Sequence, residues 1–323
     1  MRSSTIARAA PRMLVRVPAP APGARGRRPP AASAVFSARS TTAGIHQRPW
    51  LARLRRALAE DRFALHYQPI VALRDQHVSH HEALVRLDDE PSGRLVAPRC
   101  FLPAAERYGL IRELDRRVLD RVVALLGDPV AVPPAAGEAP GRIAVNLSAL
   151  SVADPRMLGY LERRLALHGV EPERLIVEVT ETASITDMPR ARAFCAGVQR
   201  LGCAVALDDF GTGLGSLQYL KHLPFRYLKI DGEFVRGLAR SRSDQLLVKA
   251  LADVVRGMGG ETIAEFVSDL SLLPLLAEFG VDYAQGYALG APRPELAAGP
   301  LAGARPALRI ARLRAGSRRA SRR

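Results

Sequence analysis

From Trp50 onward the chain alternates two hydrophobic rhythms. The run LARLRRALAEDRF places Leu51, Leu54 and Leu58 at i, i+3 and i+7, the spacing of an amphipathic helix with a basic outer face. After it, β-like runs recur at residues 63–73, 80–87, 142–148, 175–181, 204–209, 227–231, 261–266 and 283–289. Between most of them lie helix-period segments such as MLGYLERRLALHG, MPRARAFCAGVQRLG and DQLLVKALADVVRGMGG. Gly169, Gly202 and Gly259 stand at the ends of these segments, where left-handed C-caps are expected. Eight strand-like runs alternating with helices over about 230 residues predict an α/β fold, a single (β/α)8 TIM-like barrel. A doubly wound open sheet is the rival, but no GxGxxG follows the first strand. The Pro- and Gly-rich stretch DPVAVPPAAGEAP (128–140) reads as a loop before the third strand.

Composition changes this picture mainly at the ends. The chain has 323 residues, 48% of them hydrophobic, and a formal net charge of +15. Residues 1–49 hold nine Arg and residues 300–323 hold eight, with no acid in either stretch. The tails therefore carry +17 and leave residues 50–299 near −2. The basic character belongs to the ends and is no signature of specific nucleic-acid binding by the folded part. Such tails attract polyanions weakly and without specificity. Three segments follow: a disordered Arg/Ala/Pro-rich leader over 1–49, a barrel over 50–299, and a basic disordered tail over 300–323. No apolar run approaches the roughly 20 residues of a spanning helix. Cys100, Cys195 and Cys203 are scattered, with no CxxC, so they read as small buried hydrophobes in a protein of the cytoplasm. His77, His80 and His81 precede the second strand at the end opposite its acids and read as a surface hairpin.

The candidate chemistry lies at the carboxyl ends of the strands, where barrels build their active sites. In strand order these are Glu82 with Arg86, Asn146, Glu178 with Glu181, Asp208 with Asp209, Lys229 with Asp231, Glu265 and Gln285. One acid at a strand end is ordinarily a helix N-cap or a surface group, and Asp208 or Asp209 alone would suit the turn before Gly211. A ring of acids with an amide and a lysine needs compensation, because an unpaired buried carboxylate is strongly unfavourable. Hard oxygen ligands at one rim suit Mg2+ or Mn2+. Two such ions activate water and stabilise the leaving oxygen of an in-line phosphoryl displacement. Lys229 and Arg86 would add positive charge at the water or the phosphate.

The runs HYQPIVAL, EALVR, VNLS, VEVTET, LDDFGTG, LKIDGEFV, TIAEFV and AQGYALG, in this order over about residues 51–293, resemble the motifs of the EAL-domain family. Active members are cyclic-di-GMP phosphodiesterases that open the ring to linear pGpG. The resemblance implies a (β/α)8 barrel whose first strand is antiparallel to its neighbours. It implies a catalytic centre of Glu82, Glu265 and Lys229, the lysine orienting or deprotonating the attacking water. Glu82, Asn146, Glu178, Asp208 and Glu265 match metal ligands, with Asp209 serving the second of two Mg2+ or Mn2+ ions. Arg86 matches a phosphate contact, and Gln68 and Gln285 match groups near the substrate. Glu181 matches the anchor of the loop DFGTGLGSL, which links catalysis to homodimer formation. Three positions depart from the family pattern. Ser268 stands where a second acid is usual, Gly215 where Ser is commoner, and Ala291 where Arg is usual. Two rival readings remain open: a degenerate barrel that binds cyclic-di-GMP without cutting it, and a metal barrel acting on another phosphodiester.

Overall fold

A computed structural model of the chain describes residues 50–89, 93–132, 141–180, 187–211 and 220–297. The leader 1–49, the tail 300–323, Glu181, Gly215 and most of the loop that Glu181 is expected to anchor lie outside the described residues.

Among the described residues nine strands appear: β1 (Phe63–Ala72), β2 (Val78–Asp89), β3 (Arg94–Val96), β4 (Arg142–Leu147), β5 (Leu175–Thr180), β6 (Ala204–Phe210), β7 (Tyr227–Ile230), β8 (Glu261–Ala264) and β9 (Tyr283–Gln285). Their order is β1-β9-β8-β7-β6-β5-β4-β2-β3, and an additional β1–β2 pairing closes an eight-stranded barrel with β3 outside it. β1 runs antiparallel to both neighbours, β2 and β9, while the pairs from β2–β4 round to β8–β9 are parallel. The expected barrel and its reversed first strand are both present.

The eight expected runs coincide with the eight barrel strands, but the boundaries differ. β2 begins earlier and extends to Asp89, because it forms a long hairpin with β1 and then pairs with β3. Glu82 is therefore a mid-strand residue. β9 stops at Gln285, and the next residue, Gly286, lies so close to the Val267 backbone that any Cβ would collide with it. β3, only three residues long, carries no period that a sequence could reveal.

Helices surround the barrel on the faces their periodicity predicts. In Ile111–Leu126 the residues Ile111, Leu114, Val118, Leu119, Val122, Val123 and Leu126 are buried, one continuous stripe. In the helix over residues 50–59, Leu54, Ala57 and Leu58 are buried while Arg55 and Arg56 face solvent. Gly169 ends Met157–His168 at φ 60, the left-handed cap its position suggests.

Inside the barrel the alternation of strand side chains does the sorting. Ile70, Ala72, Ala144, Ile176, Ala206, Tyr227, Ile263 and Tyr283 form an apolar cluster. Two residues along each strand from members of that cluster stand Gln68, Asn146, Glu178, Asp208, Lys229, Glu265 and Gln285. The same period of two that fills the core thus lays a polar layer on top of it. His80 and His81 depart from the hairpin reading: both lie within β2 and are buried, His80 against the rings of Tyr227 and Tyr283 at 5.4 and 5.6 Å. Cys195 and Cys203 are buried as expected, whereas Cys100 is exposed.

Candidate active site

Lys229 is the hub of the polar layer. It is 1% exposed, and its Nζ lies 2.8 Å from Glu178 Oε2, 3.0 Å from Asp208 Oδ1, 3.0 Å from Glu265 Oε1 and 3.3 Å from Glu82 Oε2. β7 supplies the lysine, and the acids come from β2, β5, β6 and the residue following β8. Amides complete the layer. Asn146 Nδ2 donates to Glu82 Oε1 at 2.6 Å, and Gln285 Nε2 donates to Glu82 Oε2 at 2.6 Å. Gln285 also donates to Gln68 Oε1 at 3.2 Å, and Gln68 in turn donates to the Gly290 carbonyl at 3.1 Å. Glu82 is held on both oxygens.

The charges do not balance, since one ammonium faces four carboxylates. Burial opposes the charge of Lys229, yet Asp208, Glu178, Glu265 and Glu82 together raise its pKa well above the ordinary lysine value. Burial raises the carboxyls of Glu178 and Glu265 well above the usual range, only partly countered by Lys229. Burial would also raise Glu82, but Lys229, Gln285 and Asn146 more than offset it and hold that carboxyl low. Asp209, next to Asp208, is pushed up to about 6 by burial and then by its acidic neighbours. A site that raises several acids at once favours the uptake of positive charge, as protons or as cations.

Unsatisfied atoms indicate which. Glu178 Oε1, Asp208 Oδ1 and Glu265 Oε2 are buried and accept no hydrogen bond. Asp208 Oδ1 is near Lys229 Nζ but outside hydrogen-bonding geometry. Oxygens of Asp208, Asp209 and Glu265 lie within 4.8 Å of one another. Hard carboxylate oxygens at this spacing fit a divalent cation of the Mg2+ or Ca2+ class.

These groups form the floor of a cavity of about 600 Å3, whose wall includes Gln68, Arg86, Arg99, Arg236, Phe266, Ser268 and Tyr287. The fold thus brings Gln68, Glu82, Arg86, Asp208, Asp209, Lys229, Glu265 and Gln285 to one cavity, with Asn146 and Glu178 bonded to its floor. Asp231 does not join them. Its Oδ1 accepts the Glu233 N–H at 2.7 Å and caps Gly232–Arg236. Arg236, Phe266 and Tyr287 escaped the sequence reading. Phe266 was within reach, since it directly follows Glu265, whereas nothing in the sequence marks Arg236 as a neighbour of that pair.

Comparison with known proteins places these features in a family. Residues 51–292 match the EAL domain family model. Cyclic di-GMP phosphodiesterase PdeB of Shewanella oneidensis is 37% identical over 76% of this chain and 28% of its own length. Cyclic di-GMP phosphodiesterase PdeF of Escherichia coli is 34% identical over 75% of this chain and 31% of its own. The chain therefore spans about a third or less of the length of these curated relatives. Among solved structures, the PaMucR phosphodiesterase in complex with c-di-GMP is 35% identical, with a TM-score of 0.70 over 76% of this chain and 98% of that one. The FimX EAL domain of Xanthomonas citri in complex with c-di-GMP is 31% identical, with a TM-score of 0.68 over 78% of this chain and 96% of that one. The ordered run of motifs, the reversed first strand and the match across three quarters of its length agree: this chain belongs to the EAL domain family.

Proposed function

We propose that the chain is a divalent-metal-dependent phosphodiesterase that hydrolyses cyclic-di-GMP to linear pGpG and so lowers the level of that second messenger. The observation that carries this reading is the excess of buried carboxylates around Lys229, with three orphaned oxygens, on the floor of a cavity bordered by Arg86. The phosphodiesterases among its relatives and the c-di-GMP complexes among its structural neighbours support it.

Glu82, Asn146, Glu178, Asp208, Asp209 and Glu265 would hold two ions, Mg2+ or Mn2+. When bound, these supply positive charge to the phosphate oxygens and lower the pKa of water. The protein's own groups do the rest. Arg86 pairs with a phosphate oxygen through its guanidinium. Gln285, fixed by Gln68, aims Glu82 and keeps its own buried Oε1 free to accept from a water or the ligand. Lys229, an ammonium among carboxylates, donates a hydrogen bond to the attacking oxygen and holds charge beside it. The water oxygen bonds to phosphorus as the P–O3′ bond breaks; the proton that the water releases passes to a carboxylate of the cluster, and the departing O3′ takes up a proton from solvent. Purified protein with Mn2+ is expected to yield pGpG, and Glu82→Ala to abolish it. No product at any metal concentration would remove the catalytic reading.

Ser268 on the cavity wall favours a second reading, a barrel that binds the dinucleotide without cutting it. Calorimetry with tight binding in Ca2+ and no turnover in Mg2+ or Mn2+ would select that reading. We further propose a homodimer acting in the cytoplasm. Leu247, Val254 and Met258 recur on one side of the helix Arg242–Gly257 and its C-cap at 47%, 48% and 50% exposure, an apolar stripe suited to a second copy. No helix among the described residues is long and apolar enough to cross a membrane.

A further inference from the structure

We infer that Asp115, on the outer helix Ile111–Leu126, is a positioning residue for metal binding: through Ser148 it fixes Asn146, and through Asn146 the carboxylate of Glu82. Asp115 itself stands outside the cavity wall. The inference rests on the metal-site reading above.

The strand ladder shows where such a clamp is needed. Between β2 and β4 the pairing ends at Ala83 and Val145, one residue short of Asn146. On the other side, β4 stays paired with β5 as far as Leu147 and Val179. The sheet therefore holds Asn146 from one side only. The open side is the one it has to bridge, since its Nδ2 donates to Glu82 Oε1 at 2.6 Å across the β2–β4 seam. That bond leaves Oδ1, the acceptor of the amide, for an ion. A shift of the strand end would displace this oxygen and release Glu82 together.

The clamp comes from outside the barrel. Asp115 Oδ2 accepts the Ser148 N–H at 3.0 Å and the Ser148 hydroxyl at 2.6 Å, two residues past Asn146. Ser148 Oγ in turn accepts the Ser151 N–H at 3.3 Å and caps the short helix Ala149–Val152. One carboxylate oxygen thus ties the end of β4 to the helix that follows. Arg112 of the same outer helix also reaches this segment, donating to the Leu150 carbonyl at 2.9 Å, but from an exposed position and four residues past Asn146.

A contact that served packing alone gains nothing from an acid. Asp115 is 7% exposed, with no cation beside it among the described residues. Burial pushes its carboxyl above the usual carboxylate range, only partly countered by the bonds from Ser148. Burying a carboxylate without a cation is unfavourable. The fold keeps this group where a single atom meets both donors of the residue that ends β4.

Asp115→Ala, Asp115→Asn, Ser148→Ala and Arg112→Gln are to be compared with the wild-type chain by Mn2+ calorimetry and by melting in chelator. Asp115→Ala is expected to weaken Mn2+ binding about ten-fold, as loss of a group that orients a metal ligand does. Asp115→Asn, whose amide oxygen still accepts from Ser148, recovers most of that affinity. Ser148→Ala loses only the hydroxyl arm and gives a few-fold loss; it carries the test should Asp115→Ala fail to fold. Arg112→Gln leaves Mn2+ affinity unchanged, although it touches the same segment. In an Asn146→Ala background, which keeps the carboxylate ligands, Ser148→Ala adds no further loss. Lower melting temperatures with wild-type Mn2+ affinity in the Asp115 and Ser148 variants overturn the inference, as does a loss that persists in full without Asn146. A wild type that binds Mn2+ without turnover sinks only the hydrolase reading, and one that binds no Mn2+ overturns both.

Discussion

Lys229 shows how one buried residue can hold a cluster of like charges together. Four carboxylates surround its ammonium, and removing it leaves them without their only close cation among the described residues. Breaking a buried ion pair from one side costs about 3–5 kcal/mol. Lys229→Met is therefore expected to lower stability in chelator by that order, with Mn2+ recovering part of the loss; urea denaturation with and without the metal checks this. Equal stability of variant and wild type in chelator would remove the charge-balance account. His80 makes the opposite case, a base kept neutral. Burial, then the charges of Arg142, His81 and Lys229, lower its pKa to about 3, and burial lowers that of His81 to about 4. The unfolded chain, with a histidine pKa of about 6.5, binds more protons than the native state between these values, so stability rises with pH across that range. It is full above about pH 6.5 and falls as the solution is acidified, by up to about 1.4 kcal/mol per pH unit for each histidine. Urea midpoints measured from pH 4.5 to 7 are expected to show this slope, and His80→Leu to flatten it.

At the scale of elements, the site depends on how closely β8 and β9 approach beyond their ends. Val267 N–H donates to the Gln285 carbonyl at 2.9 Å, and Gly286 packs on the Val267 backbone. This contact keeps Gln285, the donor to Glu82, beside Glu265. Gly286→Ala forces the two segments apart and is expected to destabilise by about 1–3 kcal/mol, the range for overpacked sites. It also moves the Gln285 amide off Glu82, so turnover falls more than stability alone explains. Melting curves run beside a turnover assay separate the two effects. β4 is secured differently. Asp115, on Ile111–Leu126, accepts both the Ser148 N–H at 3.0 Å and the Ser148 hydroxyl at 2.6 Å, two residues past Asn146. A buried carboxylate on the outer layer thus clamps the strand end that presents an inner amide.

For the whole molecule, the closed barrel concentrates negative charge at one end of its interior and leaves an apolar helix stripe outside. Glutamate at Leu247 and Val254 together is expected to convert a dimer to a monomer while the barrel stays folded, a change that sedimentation velocity reads directly. A wild-type protein that sediments as a monomer would remove the homodimer. Much of this organisation was legible in advance. Eight strand runs, three glycine caps and the inward polar positions all follow from local periods, since a strand of period two commits its even and odd residues to opposite faces. The family motifs made the reversed first strand legible too. Neither the extent of β2 nor the existence of β3 was readable, because both depend on pairing between segments. The burial of His80 was equally hidden, since a histidine is compatible with surface or core and only the facing rings of Tyr227 and Tyr283 settle it. By itself, then, the sequence determined the barrel, the face of each strand and the list of acids, because these are properties of single segments. Only the tertiary structure decided that four of those acids share one lysine, that Asp231 caps a helix instead, and that Phe266 opens onto the same cavity. Such distances between segments exist only once the barrel has closed.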